Sequence, residues 1–332
     1  MILILSQDTY EPTTEMVMDW IRALGGDCVR LNGADIAGPL PLRMEVDAGG
    51  PRLRLSVDGR EFTDREVEMV WLRRWQAPHD VGVRAAEGTE KTAAAINRHL
   101  SREAAAVARA LYSFFPRARW LTHPAETALN KVHALRLAAA AGLEVPPTLV
   151  TNQRAEIEAF RLRHGRVIAK SVGEVTFIPL GERTFGLYTA EAEAGDVAAL
   201  PEVLFPSLVQ ALVEKEFEIR VFCLGGELWP MAIFSQASEK TAMDFRQYDV
   251  RRPSRSVPYR LPGDVAAALR AFLESAGLTS GSVDLIRTPD GRHVFLEVNP
   301  AGQFLMVSNP CNYRLQKRVA EHLIRGGAHA AA

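Results

Sequence analysis

The sequence predicts a multi-domain α/β chain: an alternating α/β unit, a middle segment of the same mixture, and a C-terminal part dominated by strands. Three observations carry this. At 332 residues the chain is too long for one small core. Strand-like apolar runs alternate with helical ones over the first part, and strand signals prevail beyond Thr184. Finally, no apolar run approaches the roughly 18 residues of a membrane span.

Composition narrows the classes. The chain is 47% apolar and 24% charged, which is ordinary for a globular protein, and its formal charge of -1 leaves no footprint for nucleic acid or an anionic membrane. Cys28, Cys223 and Cys311 are scattered, with no CxxC pair and no zinc spacing, so a reducing compartment is expected. Met1–Leu5 lacks a basic flank and reads as a first strand rather than a signal peptide, which points to the cytoplasm.

Taken in order, Ile2–Leu5 is a buried strand. Thr13 and Thr14 can cap a helix carrying Met16, Val17, Trp20, Ile21 and Leu24 on one side, ended by Gly25-Gly26. Cys28–Leu31 is the next strand, and Arg52–Val57 with Glu61–Thr63 forms a hairpin around Asp58-Gly59. Val67–Leu72 is a strand leading into the cationic Arg73-Arg74-Trp75. An Ala-rich helix from about Thr89 to Phe115 closes the unit at Pro116.

A helix from about Thr127 to Ala141 opens the middle segment and ends at Gly142, after which Pro146-Pro147 forces an extended exit. Strands Pro147–Thr151 and Val167–Lys170 flank a helix near Ala155–His164. Further strands follow at Thr184–Tyr188, Leu208–Val213, Glu218–Leu224 and Glu227–Phe234, the last two joined by Gly225-Gly226. Ser235–Ser256 is polar and aperiodic and reads as a long functional loop. A helix over Pro262–Ala276, a hairpin over Ser282–Val298 and a helix over Tyr313–Arg325 complete the chain.

The chemistry concentrates in Ser282-Val283-Asp284-Leu285-Ile286-Arg287, Pro289-Asp290-Gly291 and Phe295-Leu296-Glu297-Val298-Asn299-Pro300. With a two-residue Asp290-Gly291 turn, Asp284 falls opposite Glu297, Asn299 shares the Glu297 face, and Val283, Leu285, Leu296 and Val298 fill the core side. A three-residue Pro-Asp-Gly loop shifts that register. Opposed carboxylates repel unless a cation lies between them, and Asp, Glu and Asn oxygens suit Mg²⁺. The plain alternative is a solvated acidic hairpin face.

Lysine use favours the metal reading. This Arg-rich chain keeps lysine at 91, 131, 170, 215, 240 and 317. Lys170 ends a strand before the loop Ser171–Gly181, where a flexible point charge can reach a phosphate, and Lys131 opens a helix. Walker A, GxGxxG, HExxH and GxSxG motifs do not occur, which removes the corresponding nucleotide-binding and hydrolase classes. His123, His133 and the five tryptophans are expected in structural roles.

These pieces follow the order of an ATP-grasp enzyme. More closely, the chain resembles the peptide-cyclising ATP-grasp ligases of graspetide (microviridin-like) biosynthesis, of the grasp-with-spasm type. The residues that carry this are Ile2–Ser6 with Glu11-Pro12-Thr13-Thr14, Asp19-Trp20, Arg30-Leu31-Asn32 and Trp71-Leu72-Arg73-Arg74-Trp75. They continue with Phe217-Glu218-Ile219-Arg220-Val221-Phe222, Asp244-Phe245-Arg246, Glu297–Phe304 and Pro310-Cys311-Asn312-Tyr313.

The resemblance implies an ATP-grasp fold: a pre-ATP-grasp α/β domain over 1–120, a central subdomain over 121–205 and a C-terminal subdomain over 206–332. It further implies that Lys131 and Lys170 contact ATP phosphates, and that Gln210, Ala211, Leu212, Val213 and Lys215 form the hinge at adenine. Arg220 would face the phosphates and Arg246 lie near the reacting carboxylate, and Asp284, Glu297 and Asn299 would bind Mg²⁺. The implied reaction activates Asp or Glu side chains of a ribosomal precursor peptide and closes esters with Ser/Thr or amides with Lys. The N-terminal domain or the Ser235–Ser256 loop would grip the leader, and a homodimer is implied. The competing readings are a ligase that adds a free amino acid to a small molecule or protein tail, and a non-catalytic peptide-binding module.

Overall fold

The computed structural model describes residues 1–75, 81–125, 129–173, 177–180, 183–186, 189–237 and 253–326. By contact the chain forms two units, Met1–Thr127 with Arg314–Ala332, and Ala128–Tyr313. None of the described helices is long and apolar enough to cross a membrane.

The first unit holds strands β1 (Ile2–Ser6), β2 (Cys28–Asn32), β3 (Leu42–Asp47), β4 (Gly50–Val57), β5 (Arg60–Thr63), β6 (Met69–Leu72) and β7 (Arg119–Leu121). Its helices are α1 (Pro12–Ala23), α2 (Glu90–Tyr112) and a C-terminal helix over Leu315–Ile324. β2-β1-β6-β7 form a parallel sheet, and β3-β4-β5 an antiparallel one. β1 is buried throughout, as its unbroken apolar run requires. The expected Asp58-Gly59 turn is present with φ of 51° and 78°, the pair of positive angles that a type I′ hairpin needs.

Two expectations in this unit are corrected. Helix α1 starts at Pro12, with Glu11 at the cap, so Thr13 and Thr14 lie buried inside its first turn. Its buried face runs through Thr14, Val17, Met18 and Ile21, one step around from Met16, Trp20 and Leu24. Met16 and Trp20 instead face the C-terminal helix, where Lys317 Nζ lies 5.4 Å from the Trp20 ring centre. Strand β3 had no signal of its own. Arg43, Glu45 and Asp47 interrupt its apolar residues, and Arg52 on β4 pairs with both acids.

Glu11 is buried against two arginines, with Arg74 Nη1 at 2.9 Å and Arg73 Nη2 at 3.5 Å. Burial alone would raise its carboxyl, but Arg73 and Arg74 outweigh that and hold it below the usual value. Burial pushes Arg73 itself down to about 10. Glu11→Ala removes the buried carboxylate that pairs with both Arg73 and Arg74 and is expected to cost about 3–5 kcal/mol in urea unfolding of the whole chain. Because the folded carboxyl is depressed, its contribution is fully present above the unfolded value of about 4.3 and fades as pH falls through the folded one. Stability of Glu11→Gln should therefore vary less with pH on the acid side than that of the native protein.

The second unit holds β8 (Thr148–Gln153), β9 (Val167–Lys170), β10 (Phe177–Leu180), β11 (Arg183–Gly186), β12 (Ala190–Glu191), β13 (Val203–Ala211), β14 (Phe217–Leu224), β15 (Glu227–Phe234), β16 (Arg255–Pro258), β17 (Ser280–Arg287) and β18 (His293–Asn299). Its helices are α3 (Lys131–Ala140), α4 (Arg154–His164), α5 (Ala194–Ala198), α6 (Gly263–Ser275) and α7 (Leu305–Cys311). β12-β9-β13-β8 form an antiparallel sheet covered by α4, with Ile157, Phe160, Val167, Val197 and Val209 as its core. β16-β15-β14-β17-β18 form a larger antiparallel sheet. Its core combines Ala134, Leu135 and Ala138 of α3 with Leu269, Phe272 and Leu273 of α6 against Ile219, Val221, Val283, Leu285 and Phe295.

Helix α3 begins at Lys131 because Asn130 caps it, its Oδ1 accepting from His133 N at 2.9 Å. α7 was not foreseen, since Pro310 lies inside it. Of the expected Ser235–Ser256 loop, 238–252 lie outside the described residues, as do 187–188 of the expected Thr184–Tyr188 strand.

Candidate active site

The β17–β18 hairpin reaches the expected pairing by an unexpected route. Its turn takes the wider form, with Gly291 N bonded to Thr288 O at 2.9 Å and Thr288 N to Arg292 O at 3.0 Å. Arg287 therefore pairs with His293, and Leu285 with Phe295, one step off the two-residue register. A bulge between Asp284 and Leu285 on the ladder then absorbs one residue of β18, so that Asp284 does face Glu297. The bulge exchanges two neighbours. Phe295 takes the core position expected of Leu296, and Leu296 turns into the cleft.

That cleft, about 510 Å³, is lined by strands of both sheets of the second unit. β9 contributes Ile168 and Lys170, and the end of β13 with its exit contributes Gln210, Ala211, Leu212, Val213, Glu214 and Lys215. Glu218, Asp284, Leu296 and Glu297 come from the larger sheet. Period-two alternation explains the selection: Ile168 pairs with Gln210 across β9–β13, while Val167 and Val209 on the opposite face enter the core.

Arg220 lies directly opposite Asp284 on the β14–β17 ladder, and its Nη1 donates to both carboxylate oxygens at 3.0 Å. Both side chains are nearly buried, so this is a desolvated, charge-assisted pair. Lys131 Nζ donates to Ser171 O at 3.0 Å and lies 3.7 Å from Glu297 Oε2. Each carboxylate thus has its own cation, which offsets their mutual repulsion. Lys215 pairs with Glu218, and Lys170 lines the same cleft.

Asn299 sits two residues beyond Glu297, opposite Ser282. Its Oδ1 accepts from Ala301 N at 3.0 Å and so helps to end the strand. At Gly302, with φ of +60°, an added Cβ would lie 3.2 Å from the Phe222 ring. Arg246 lies outside the described residues, and His123 and His133 are exposed and are not among the residues that line the cleft.

Arg166, Ile168, Glu214, Glu218 and Leu296 line the cleft without having been singled out. Glu218 was readable in principle, because it precedes Arg220 by two residues on one strand and must share its face. Leu296 was not, because only the bulge brings it there.

Among the described residues no three His, Cys, Asp or Glu side chains gather to hold a metal. A cation at Asp284 and Glu297 would take two carboxylates, with the second lone pair of the Asn299 amide oxygen in addition. The remaining positions are left to phosphates and water, the way Mg²⁺ is commonly bound. The donor set fits.

Residues 1–123 match the family model described as the MvdD pre-ATP grasp domain. No curated protein matches the sequence. Among solved structures, the chain is similar to the macrocyclase MdnC bound with precursor peptide MdnA from Microcystis aeruginosa MRC. The TM-score is 0.83 at 21% identity, over 98% of this chain and 99% of that one. It is also similar to a Chryseobacterium gregarium RiPP-associated ATP-grasp ligase in complex with ADP and a leader and core peptide: TM-score 0.83, 23% identity, 97% and 96% coverage. A third is the ATP-grasp ligase PsnB complexed with minimal precursor, Mg and ADP, with TM-score 0.73, 18% identity, and 98% and 97% coverage. The fold is therefore that of the ATP-grasp ligases with an N-terminal pre-ATP-grasp domain. Within that class, the solved structures it resembles end to end include ligases that carry precursor peptides.

Proposed function

We propose that the chain is an ATP-dependent ligase that activates Asp or Glu side chains of a ribosomally made precursor peptide and closes macrocycles within that peptide. The observation that carries this is that Lys170, Asp284 and Glu297 line one cleft, with Arg220 paired to Asp284 and Lys131 Nζ 3.7 Å from Glu297 Oε2. Beside them lies the Gln210–Lys215 strip, whose Leu212 and Val213 offer an apolar surface to a base.

In this reading ATP lies with adenine against Gln210, Ala211, Leu212, Val213 and Lys215, and with its phosphates toward Lys131, Lys170 and Arg220. Asp284, Glu297 and Asn299 would hold Mg²⁺, which when bound neutralises charge on the phosphoryl oxygens. A peptide carboxylate oxygen attacks the γ-phosphorus, the bond to ADP breaks, and an acyl phosphate results. Lys131, Lys170 and Arg220 stabilise the charge on the transferred group, and Arg246 would hold the carboxylate. A Ser or Thr hydroxyl, or a Lys amine, then attacks the acyl carbon and loses its proton. Phosphate leaves carrying one former carboxylate oxygen. Keeping both groups on one bound peptide makes this step effectively intramolecular.

The oxygen transfer supplies the test. Precursor labelled with ¹⁸O in its side-chain carboxylates should yield one labelled phosphate per ring, and unlabelled phosphate would refute carboxylate activation. The N-terminal domain or the 235–256 segment is proposed to hold the leader, so removing the leader should collapse turnover. Unchanged turnover would end that part of the proposal. A homodimer is proposed as well, to be read as twice the monomer mass by light scattering.

A further inference from the structure

Strand β2 forms one edge of the parallel sheet, since it pairs with β1 and with no other described strand. Ile2 N donates to Asp27 O at 2.9 Å. Alternation then turns the main-chain groups of Val29 and Leu31 toward β1 and those of Cys28, Arg30 and Asn32 outward. Asp35 Oδ2 closes the Asn32 N–H at 2.7 Å, but the N–H and C=O of Cys28 and Arg30 have no hydrogen-bond partner among the described residues. Proteins ordinarily blunt such an edge with a charged side chain or cover it. Here the Arg30 guanidinium is drawn away, bonded to Gln7 O at 2.5 Å, to Asn32 Oδ1 at 2.8 Å and to Glu15. The edge instead lines a cavity of about 590 Å³ within the first unit, walled by Glu15, Met18 and Arg22 of α1 and by Val57 and Asp58 at the β4–β5 turn. The Arg22 side chain is 58% exposed and 3.7 Å from Asp19, a contact too loose and too solvated to use up its charge.

We propose that this recess takes an extended segment of the precursor peptide, added to β2 as a further strand, with an acidic side chain of the segment against Arg22. The inference rests on the reading that the chain works on a precursor peptide. β2 is 5 residues long, so the segment it pairs with is of similar length. Main-chain bonds to Cys28 and Arg30 supply affinity, and the wall at Arg22 supplies selection for acid. The recess also decides the occupant. An edge set back between a helix and a hairpin admits one extended chain, whereas the β2 edge of a second copy is set back in the same way and cannot reach it. No residue of this recess lines the cleft of the second unit.

The test uses the full chain and a Ser-, Thr-, Asp- and Glu-rich candidate peptide that it converts with loss of water. Amide hydrogen exchange at Cys28 and Arg30 should be fast in the free protein and slow about tenfold when the peptide saturates it. Cys28→Pro removes one outward N–H at the first residue of β2, where proline is tolerated, and should weaken binding of the labelled peptide about tenfold by fluorescence polarisation. Cys28→Ala keeps that N–H and should bind as the native protein does. Arg22→Glu should weaken binding about threefold, and a peptide with Lys in place of the matching acidic residue should restore it. Unchanged exchange at Cys28 and Arg30, or native affinity in both Cys28→Pro and Arg22→Glu, with rings still formed, overturns the edge assignment and leaves the proposed ligase activity standing. If no candidate peptide loses water, that activity and this inference fall together.

Discussion

Glu297→Ala is expected to lower ring-forming turnover by about a thousandfold while leaving the fold as stable as before, or slightly more stable. The two halves of this expectation have separate causes. Glu297 faces Asp284 across the ladder, so removing it relieves a repulsion. Its side chain is 19% exposed, so no closed core is opened, and Lys131 keeps its bond to Ser171 O. Catalysis instead loses a proposed magnesium ligand and the group that positions Lys131. A residue kept for stability would show the reverse pattern, with unfolding at lower urea and residual activity in proportion to folded protein. Single-turnover rates together with urea midpoints separate the two.

Arg220→Ala should damage both. The buried Asp284 carboxylate would lose the guanidinium that donates to both its oxygens, at a cost of about 3–5 kcal/mol, and the phosphates would lose the facing charge proposed for Arg220. Removing both partners distinguishes these effects. In Arg220→Ala/Asp284→Ala no charge is stranded, so much of the stability should return, whereas turnover should fall below that of either single variant or stay equally low. The urea midpoints give a coupling energy, and its sign is the prediction: the double variant is more stable than the sum of the singles implies. Additive losses would show that the pair seen at 3.0 Å does not bear on folding.

The elements that could be read ahead were those whose signal is local. The apolar run at Ile2–Leu5, the Asp58-Gly59 and Gly225-Gly226 turns, and the strands at Val167–Lys170 and Glu227–Phe234 depend on nearby residues, and the fold keeps them. What failed depends on contacts distant in sequence. The buried face of α1 is shifted because Met16 and Trp20 meet a helix about 300 residues on. β3 gains its place from pairing with β4 rather than from an apolar run of its own.

The hairpin shows how a correct contact can follow from an incorrect turn. Asp284 faces Glu297, but only because a bulge compensates the wider loop, and that compensation exchanges Phe295 and Leu296. No propensity or period distinguishes those two neighbours. The Gln210–Lys215 strip was reached through resemblance alone, since a short exit from a strand has no signature of its own. The structure places Gln210 level with Ile168 and Thr148 and the strip along the cleft lining.

The central claim is that this cleft spends ATP to remove water from a bound peptide, and the intact mass of the peptide tests it most directly. Candidate precursors rich in Ser, Thr, Asp and Glu would be incubated with the native protein, ATP and Mg²⁺, with Glu297→Ala as the control. The account predicts losses of one water mass per ring, matched by ADP formed, and none with the variant. ATP consumed without water loss, with an amino-acid mass added to an acceptor instead, would contradict it and move the chain to the ligases that use free amino acids.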